Sequence, residues 1–343
     1  MTETNNLSSL ANSIQTIASP FRTYLNELHE RYRSEMGGEV ADYIPELALA
    51  DPHWFGICVA TTDGRVFEVG DCDKLFTIQS ISKAFVFGLA LEDHGREYVN
   101  SKVSVEPTGE AFNAIVLDEE TNRPYNPMVN AGAIATADLI KGANGTERLK
   151  RVLDMFQRYT GREHTVHMPV FLSEKATGNR NRAIAYLMLN FGMVSDRIEE
   201  MLDLYFQQCS ILVTARDLAM MAATLANGGV NPVTGKRAID QRYVQDVISV
   251  MLTCGMYDYS GEWIYRVGLP AKSGVGGGIT AIAPEKLGIG TFSPPLDAKG
   301  NSVRGIQVCQ ALSQDFGLHL FNAASSDRVL EEWIVGNDAI DGW

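Results

Sequence analysis

The chain has no long apolar run, no basic cluster and no paired-cysteine spacing, and each absence removes a class of function. Its 343 residues contain nothing close to the roughly 20 consecutive apolar positions that a membrane span requires. Lys and Arg total 29 against 42 Asp and Glu, a formal net charge of −13, and the basic residues are dispersed. A polyanionic partner needs a basic face, so neither nucleic acid nor an anionic membrane surface is expected as a partner. The five cysteines, Cys58, Cys72, Cys209, Cys254 and Cys309, are odd in number and scattered without a CxxC. That pattern fits reduced, mostly buried thiols rather than a disulfide framework. Cys209 and Cys254 sit among apolar neighbours with no nearby cue for a base, which argues against either as a nucleophile. The N-terminal stretch MTETNNLSSLANSIQTIASP lacks a basic n-region and a long apolar h-region, which predicts a cytoplasmic protein. No Walker loop and no GxGxxG in strand–helix context is present, and no cofactor is expected. His164-x-x-His167 lacks the Glu and the spacing of a helical zinc motif; it reads as a surface loop, and no metal is expected.

What is present is ordinary for a globular chain: 45% hydrophobic and 21% charged residues, enough for a sizeable core. Residues 1–18 read as a loose polar tail. Phe21, Leu25, Leu28 and Tyr32 recur at helical spacing within 19–35. HWFGICVATTDGRVFEVGD reads as a β-hairpin turning at Asp63-Gly64. From Ser80 the pattern becomes helical, with a first buried helix closed by Gly95 and further helices in NAGAIATADLIKG, GTERLKRVLDMFQRYTG, NRAIAYLMLNFG, SDRIEEMLDLYFQQCS and TARDLAMMAATLANGG. Thr214 is a plausible N-cap for the last of these. WIYRVGLP, GGITAIAPEKLGIGTFSPPLD and NSVRGIQVCQ then read as short strands, followed by a final helix with Leu312, Phe316, His319 and Leu320 on its core face. The expected fold is α+β: an antiparallel sheet flanked by helices, built from about 19–79 and 261–325, with an all-helical subdomain over about 80–260 inserted between. Together these make a single catalytic domain over 19–325, with 326–343 a second tail. A cleft between the two parts is the favoured place for a site.

FTIQSISKAF, residues 76–85, places a hydroxyl and an amine three residues apart in apolar surroundings. At a strand-to-helix junction Ser80 and Lys83 fall on one helix face. Serine is a weak nucleophile until a base takes its proton, and a buried lysine can be that base. An isolated SxxK is common, and a capping serine with a snorkelling lysine would explain it equally. Lys272-Ser273-Gly274, just before the glycine-rich GVGGGI, changes the balance. An early SxxK and a late KSG with helices between follow the order of the serine β-lactamase and penicillin-binding fold.

The chain closely resembles the bacterial and mitochondrial glutaminase family, from about Tyr43 to about Phe321. The resemblance is carried by DYIPEL, FTIQSISKAF, NPMVNAGAI, SEKATGNRNRAIAY, LDLYFQQCS, MAATLANGG, CGMYDYSGEW and GLPAKSGVGGGI. It implies a β-lactamase-like architecture, hydrolysis of L-glutamine to L-glutamate and ammonia through a γ-glutamyl-serine, and a homodimer or homotetramer. Residue by residue it implies Ser80 as nucleophile, Lys83 as its activating partner and Tyr257 as a proton relay. Asn130, Glu174, Asn181, Tyr205, Tyr257 and Val275 match substrate-binding positions, and Tyr43 matches a tyrosine lining the same pocket. Without the resemblance, Glu174 would read as an acid in a helix first turn and Tyr205 as plain core. Two other functions fit the same residues: a β-lactamase or transpeptidase, which would need export, and a non-catalytic glutamine sensor, which would not need the Ser80/Lys83 pair.

Overall fold

The computed structural model of the protein describes residues 19–322 and 329–334. The strands are β1 Gly56–Thr61, β2 Val66–Gly70, β3 Phe76–Thr77, β4 Leu212–Val213, β5 Ala271–Gly274, β6 Gly278–Ala283 and β7 Leu287–Phe292. The helices are α1 Pro20–Tyr32, α2 Ser82–Lys102, α3 Asn130–Asp138, α4 Gly145–Thr160, α5 Met168–Thr177, α6 Asn179–Asn190, α7 Ile198–Cys209, α8 Ala215–Ala226, α9 Gln241–Cys254, α10 Ser260–Arg266, α11 Val303–Asp315 and α12 Leu330–Trp333. Five strands form an antiparallel sheet in the order β2-β1-β7-β6-β5, and β3 pairs separately with β4. The expected α+β sheet, assembled from the two ends of the chain, is therefore present. Its halves meet at β1 and β7, where Cys58 faces Gly290 and Ala60 faces Gly288.

The two sheet faces bury different helices, and the period of two along β1 sorts its residues between them. Ile57 and Val59 enter one cluster with Phe21, Leu25 and Leu28 of α1 and Val308 and Leu312 of α11. Cys58 and Ala60 enter the other, with Leu218, Ala219, Ala222 and Ala223 of α8. Both faces being covered, β1 is buried throughout, as its unbroken apolar run requires. Helix α8 lies unusually close to β7. A Cβ on Gly288 would come within 2.2 Å of Ala223 N, and one on Gly290 within 2.1 Å of Ala215 O. Thr214 and Asp217 cap α8 reciprocally, each side chain taking a hydrogen bond from the other's backbone N–H.

Several local expectations fail for identifiable reasons. WIYRVGLP is not a strand: α10 buries Trp263, whose indole N–H donates to Leu269 O, and Val267 follows one turn on, just past the helix end. NSVRGIQVCQ is likewise helical. Ser302 caps α11 by accepting from Gly305 N–H, and Arg304, Val308, Cys309 and Leu312 follow at helical spacing. In both segments β-branched and aromatic residues imitated strands, and tertiary packing decided otherwise. The expected final helix ends at Asp315; Leu312 and Phe316 are buried, but Leu320 lies beyond the end and is exposed. Gly95, by contrast, closes the first helical stretch as expected: it leaves the helical conformation at φ +79°, and a second stretch continues to Lys102. His164 is not on a surface loop: it is buried, its Nδ1–H donating to Leu212 O and its Nε2 facing the Thr160 hydroxyl. His167 caps α5. Residues 1–18, expected to be loose, lie outside the described residues. Part of the expected second tail is packed: α12 places Leu330 and Ile334 in the α1 cluster and Trp333 against Tyr24 and Phe316. No described helix is long and apolar enough to cross a membrane.

Candidate active site

Ser80 sits in a single 3₁₀ turn, Gln79–Ile81, that joins β3 to α2. Lys83 follows three residues later, in the first turn of α2, so the two lie on one side of the continuing helix. The turn is pinned by β5 and the turn after it: a Cβ on Gly274 would lie 2.8 Å from Ile78 O, and one on Gly276 2.6 Å from Thr77 O. Gln79, immediately before Ser80, holds φ +50°, a left-handed conformation that costs a non-glycine residue about 1–3 kcal/mol. Its side-chain amide donates to Thr77 Oγ1.

Above the turn is a cavity of about 290 Å³, lined by Ser80, Tyr43, Asn130, Glu174, Asn181 and Tyr205. The first-turn residue of α3, Asn130, links its two sides. Its Oδ1 accepts from Lys83 Nζ at 2.7 Å, and its Nδ2 donates to Asn181 Oδ1 at 3.0 Å. Lys83 is 1% exposed and donates also to Met128 O at 3.3 Å. Burial lowers its pKa to about 8, against the opposing pull of Cys209 and Glu174. Its hydrogen-bond partners are Asn130 and Met128, and the phenol of Tyr257 is within hydrogen-bonding reach of Ser80.

Tyr257 begins a 3₁₀ turn after α9 and also carries a positive φ, +56°. Its hydroxyl donates to Ser273 O at 3.1 Å, its ring lies 4.7 Å from Phe112, and burial raises its pKa well above 10, so the phenol stays protonated. Glu174 projects from the second half of α5, not from its first turn. Burial lifts its carboxyl to about 7; an acceptor bond from the Gln79 amide and the charge of Lys83 work against that rise. Tyr205 on α7 and Tyr43 in the loop before β1 approach the same carboxylate. Burial first, and then neighbouring acidic groups, raise both phenols well above 10. Tyr43 leaves 53% of its surface exposed, so it forms the mouth of the cavity while its hydroxyl end reaches inward. Val275 turns its side chain away, against Tyr257, Ile44 and Leu296. Among the described residues no acceptor takes the Val275 backbone N–H.

The arrangement is a hydroxyl beside a protonated phenol, an amine of lowered pKa bound to Asn130 in the same cavity lining, a carboxylate in that lining, and no group of three or more metal-ligating side chains among the described residues. The glutaminase family profile matches residues 38–321. A glutaminase of Microcystis aeruginosa is 76% identical over 95% of this chain and 96% of its own length. One of Trichormus variabilis is 62% identical over 93% and 95%. The chain belongs to the glutaminase family. Among solved structures, Mglu in its native form superposes with a TM-score of 0.85 at 45% identity, over 89% of this chain and 74% of that one; its glutamate form gives the same score and identity.

Within the family fold, the structure brings together eight of the positions singled out in the sequence and sets Val275 just below them. It adds others that the sequence did not mark. Gln79 and Phe112 line the cavity, and so does Cys209, whose thiol burial pushes up to about 12. Cys209 is therefore a protonated thiol beside Tyr205, a poor nucleophile despite its position. Nothing in FTIQS marks Gln79 as strained; its left-handed backbone appears only in the fold.

Proposed function

We propose that the chain hydrolyses L-glutamine to L-glutamate and ammonia by way of a γ-glutamyl ester on Ser80. The observation that carries this reading is the Ser80 hydroxyl beside the Tyr257 phenol in the lining of a cavity that also holds Asn130, to which the Lys83 amine is bound, and one carboxylate, Glu174. Free glutamine presents an ammonium, a carboxylate and a neutral amide. Glu174 pairs with the ammonium, and the Asn130 and Asn181 amides hydrogen-bond the α-groups without repelling either charge. Neutral Lys83 takes the Ser80 proton as Oγ attacks the γ-carbonyl carbon. The backbone N–H groups of Ser80 and Val275 receive the developing oxyanion. The Tyr257 phenol gives its proton to the departing nitrogen and recovers one from the Lys83 ammonium, so ammonia leaves neutral. Water then attacks the ester, its proton passing to Lys83 and on to Ser80 Oγ as glutamate departs. No step calls for a metal or organic cofactor.

A 290 Å³ cavity suits a free amino acid and is small for a peptide or a bicyclic lactam. Ammonia release measured in parallel on glutamine and asparagine, with hydrolysis of a cephalosporin, tests the reading. Turnover of glutamine alone supports it. Turnover of the cephalosporin, or binding of glutamine with no ammonia, overturns it in favour of a lactamase or a sensor. As in the resemblance, the protein is proposed to work as a homodimer or homotetramer in the cytoplasm.

A further inference from the structure

We propose that the chain has a second ligand site, an apolar cavity that takes an arylalkylamine with its ammonium on Glu46. The cavity, about 400 Å³, is larger than the one at Ser80 and shares no lining residue with it. Segments far apart in the chain build it: the loop after Tyr43 with its 3₁₀ turn Leu47–Leu49, the strands β3 and β4, the start of α5, the Val275-Gly276 turn and the end of β7. Its aromatic wall is Trp54, Phe76 and Phe292. The two phenylalanine rings stack at 4.0 Å between centroids, and Trp54 lies 6.2 Å from Phe292. A mostly apolar concavity of this size, with few polar groups, is the usual form of a small-molecule site. Leu49 and Leu75, also in the lining, remain exposed at its rim.

Glu46 decides the class of ligand. It is the one carboxylate in the lining. The other polar side chains there are already engaged: Thr77 Oγ1 accepts from the Gln79 amide, and His167 Nδ1 accepts from Val170 N–H. Among the described residues no donor and no cation reaches the Glu46 carboxylate, and its Oε2 is shielded from solvent. A carboxylate against apolar walls without a donor is an unfavourable state, which a ligand N–H relieves. The aromatic wall favours the same charge. Lys74, outside the lining, rests its Nζ 5.7 Å from the Trp54 centroid, so that ring already holds an ammonium. An anion would meet Glu46 and the field of a chain with net charge −13. A flat ring on a short ammonium arm satisfies both the wall and the carboxylate.

The test is calorimetric titration of the full chain with three indoles of similar shape: tryptamine, tryptophol and indole-3-propionate. Tryptamine should bind at one site per chain, tryptophol more weakly, and the propionate not at all. Glu46→Gln should cut tryptamine affinity about 10- to 100-fold, the worth of a charge-assisted hydrogen bond, and leave tryptophol within about 3-fold of the parent. Ala50→Phe, which puts a ring into the cavity, should abolish tryptamine binding; Val40→Phe replaces it if that variant does not fold. Saturating glutamate should leave the tryptamine site free. No binding of tryptamine to the parent, equal affinities for the three indoles, an unchanged affinity in Glu46→Gln, or displacement of tryptamine by glutamate would each overturn the inference. Ammonia release plays no part in the readout, so the inference stands or falls apart from the glutaminase reading.

Discussion

At Glu174 burial holds the carboxyl near 7, whereas the same group in an unfolded chain ionises at about 4.5. Between those values the unfolded chain loses a proton that the folded one keeps, so wild-type stability falls as pH rises through the interval and is level above about 7. Glu174→Gln removes the penalty while keeping the shape. Its melting temperature should match the parent below about pH 4 and exceed it above pH 7, by the equivalent of about 3 kcal/mol; a gap independent of pH would contradict the burial account. The same change removes the proposed partner of the substrate ammonium. A charge-assisted hydrogen bond is worth about 1.5–3 kcal/mol, so KM should rise roughly ten- to a hundredfold with kcat little changed. A normal KM with a collapsed kcat would move Glu174 into the proton-transfer machinery. Lys83, near 8, must be neutral to act as a base, and Glu174 must be ionised to bind. Both requirements make kcat/KM climb between pH 6 and 8. A flat profile over that range would exclude Lys83 as the base.

Among the elements, the contact of α8 with β7 sets how the helical part sits on the sheet. Gly290→Ala would drive a methyl into Ala215 O and Ala219 N, both backbone atoms that cannot turn aside. It should destabilise the fold by at least about 1–3 kcal/mol, whereas Gly261→Ala, which meets nothing within 4 Å, should be near neutral. Thermal melts of the two variants decide; equal melting temperatures would contradict the close approach. The hairpin, the glycine-flanked strands β6 and β7 and the Thr214 cap were legible in sequence because turn and capping residues act locally. Strong periodicity likewise showed α1 and α4. The helices at 260–266 and 303–315 were not legible, since Trp263 and Val308 suit a strand as well as a helix until their burial is known. At the site, Ser80 and Lys83 stood out by spacing and the other named positions only by resemblance. Gln79, Phe112 and Cys209 join the cavity through contacts between segments far apart in the chain, which no local pattern records.

For the molecule as a whole, α12 extends the cluster that α1 and α11 form on one sheet face. Ser19 donates to Trp333 O, and the Trp333 ring packs edge-on against Tyr24 and Phe316. Trp333→Ala should lower stability by about 2 kcal/mol, since a large aromatic contact is lost, and leave kcat and KM at parental values. A change in KM would instead tie this region to the site. The central claim, that Ser80 is the acylated group, is tested most directly by peptide mass mapping after reaction with a glutamine analogue bearing an electrophilic γ-carbon. The expected result is one label per chain, on Ser80, suppressed by glutamate and absent from Ser80→Ala. Label on Cys209, the one thiol lining the described cavity, would contradict it.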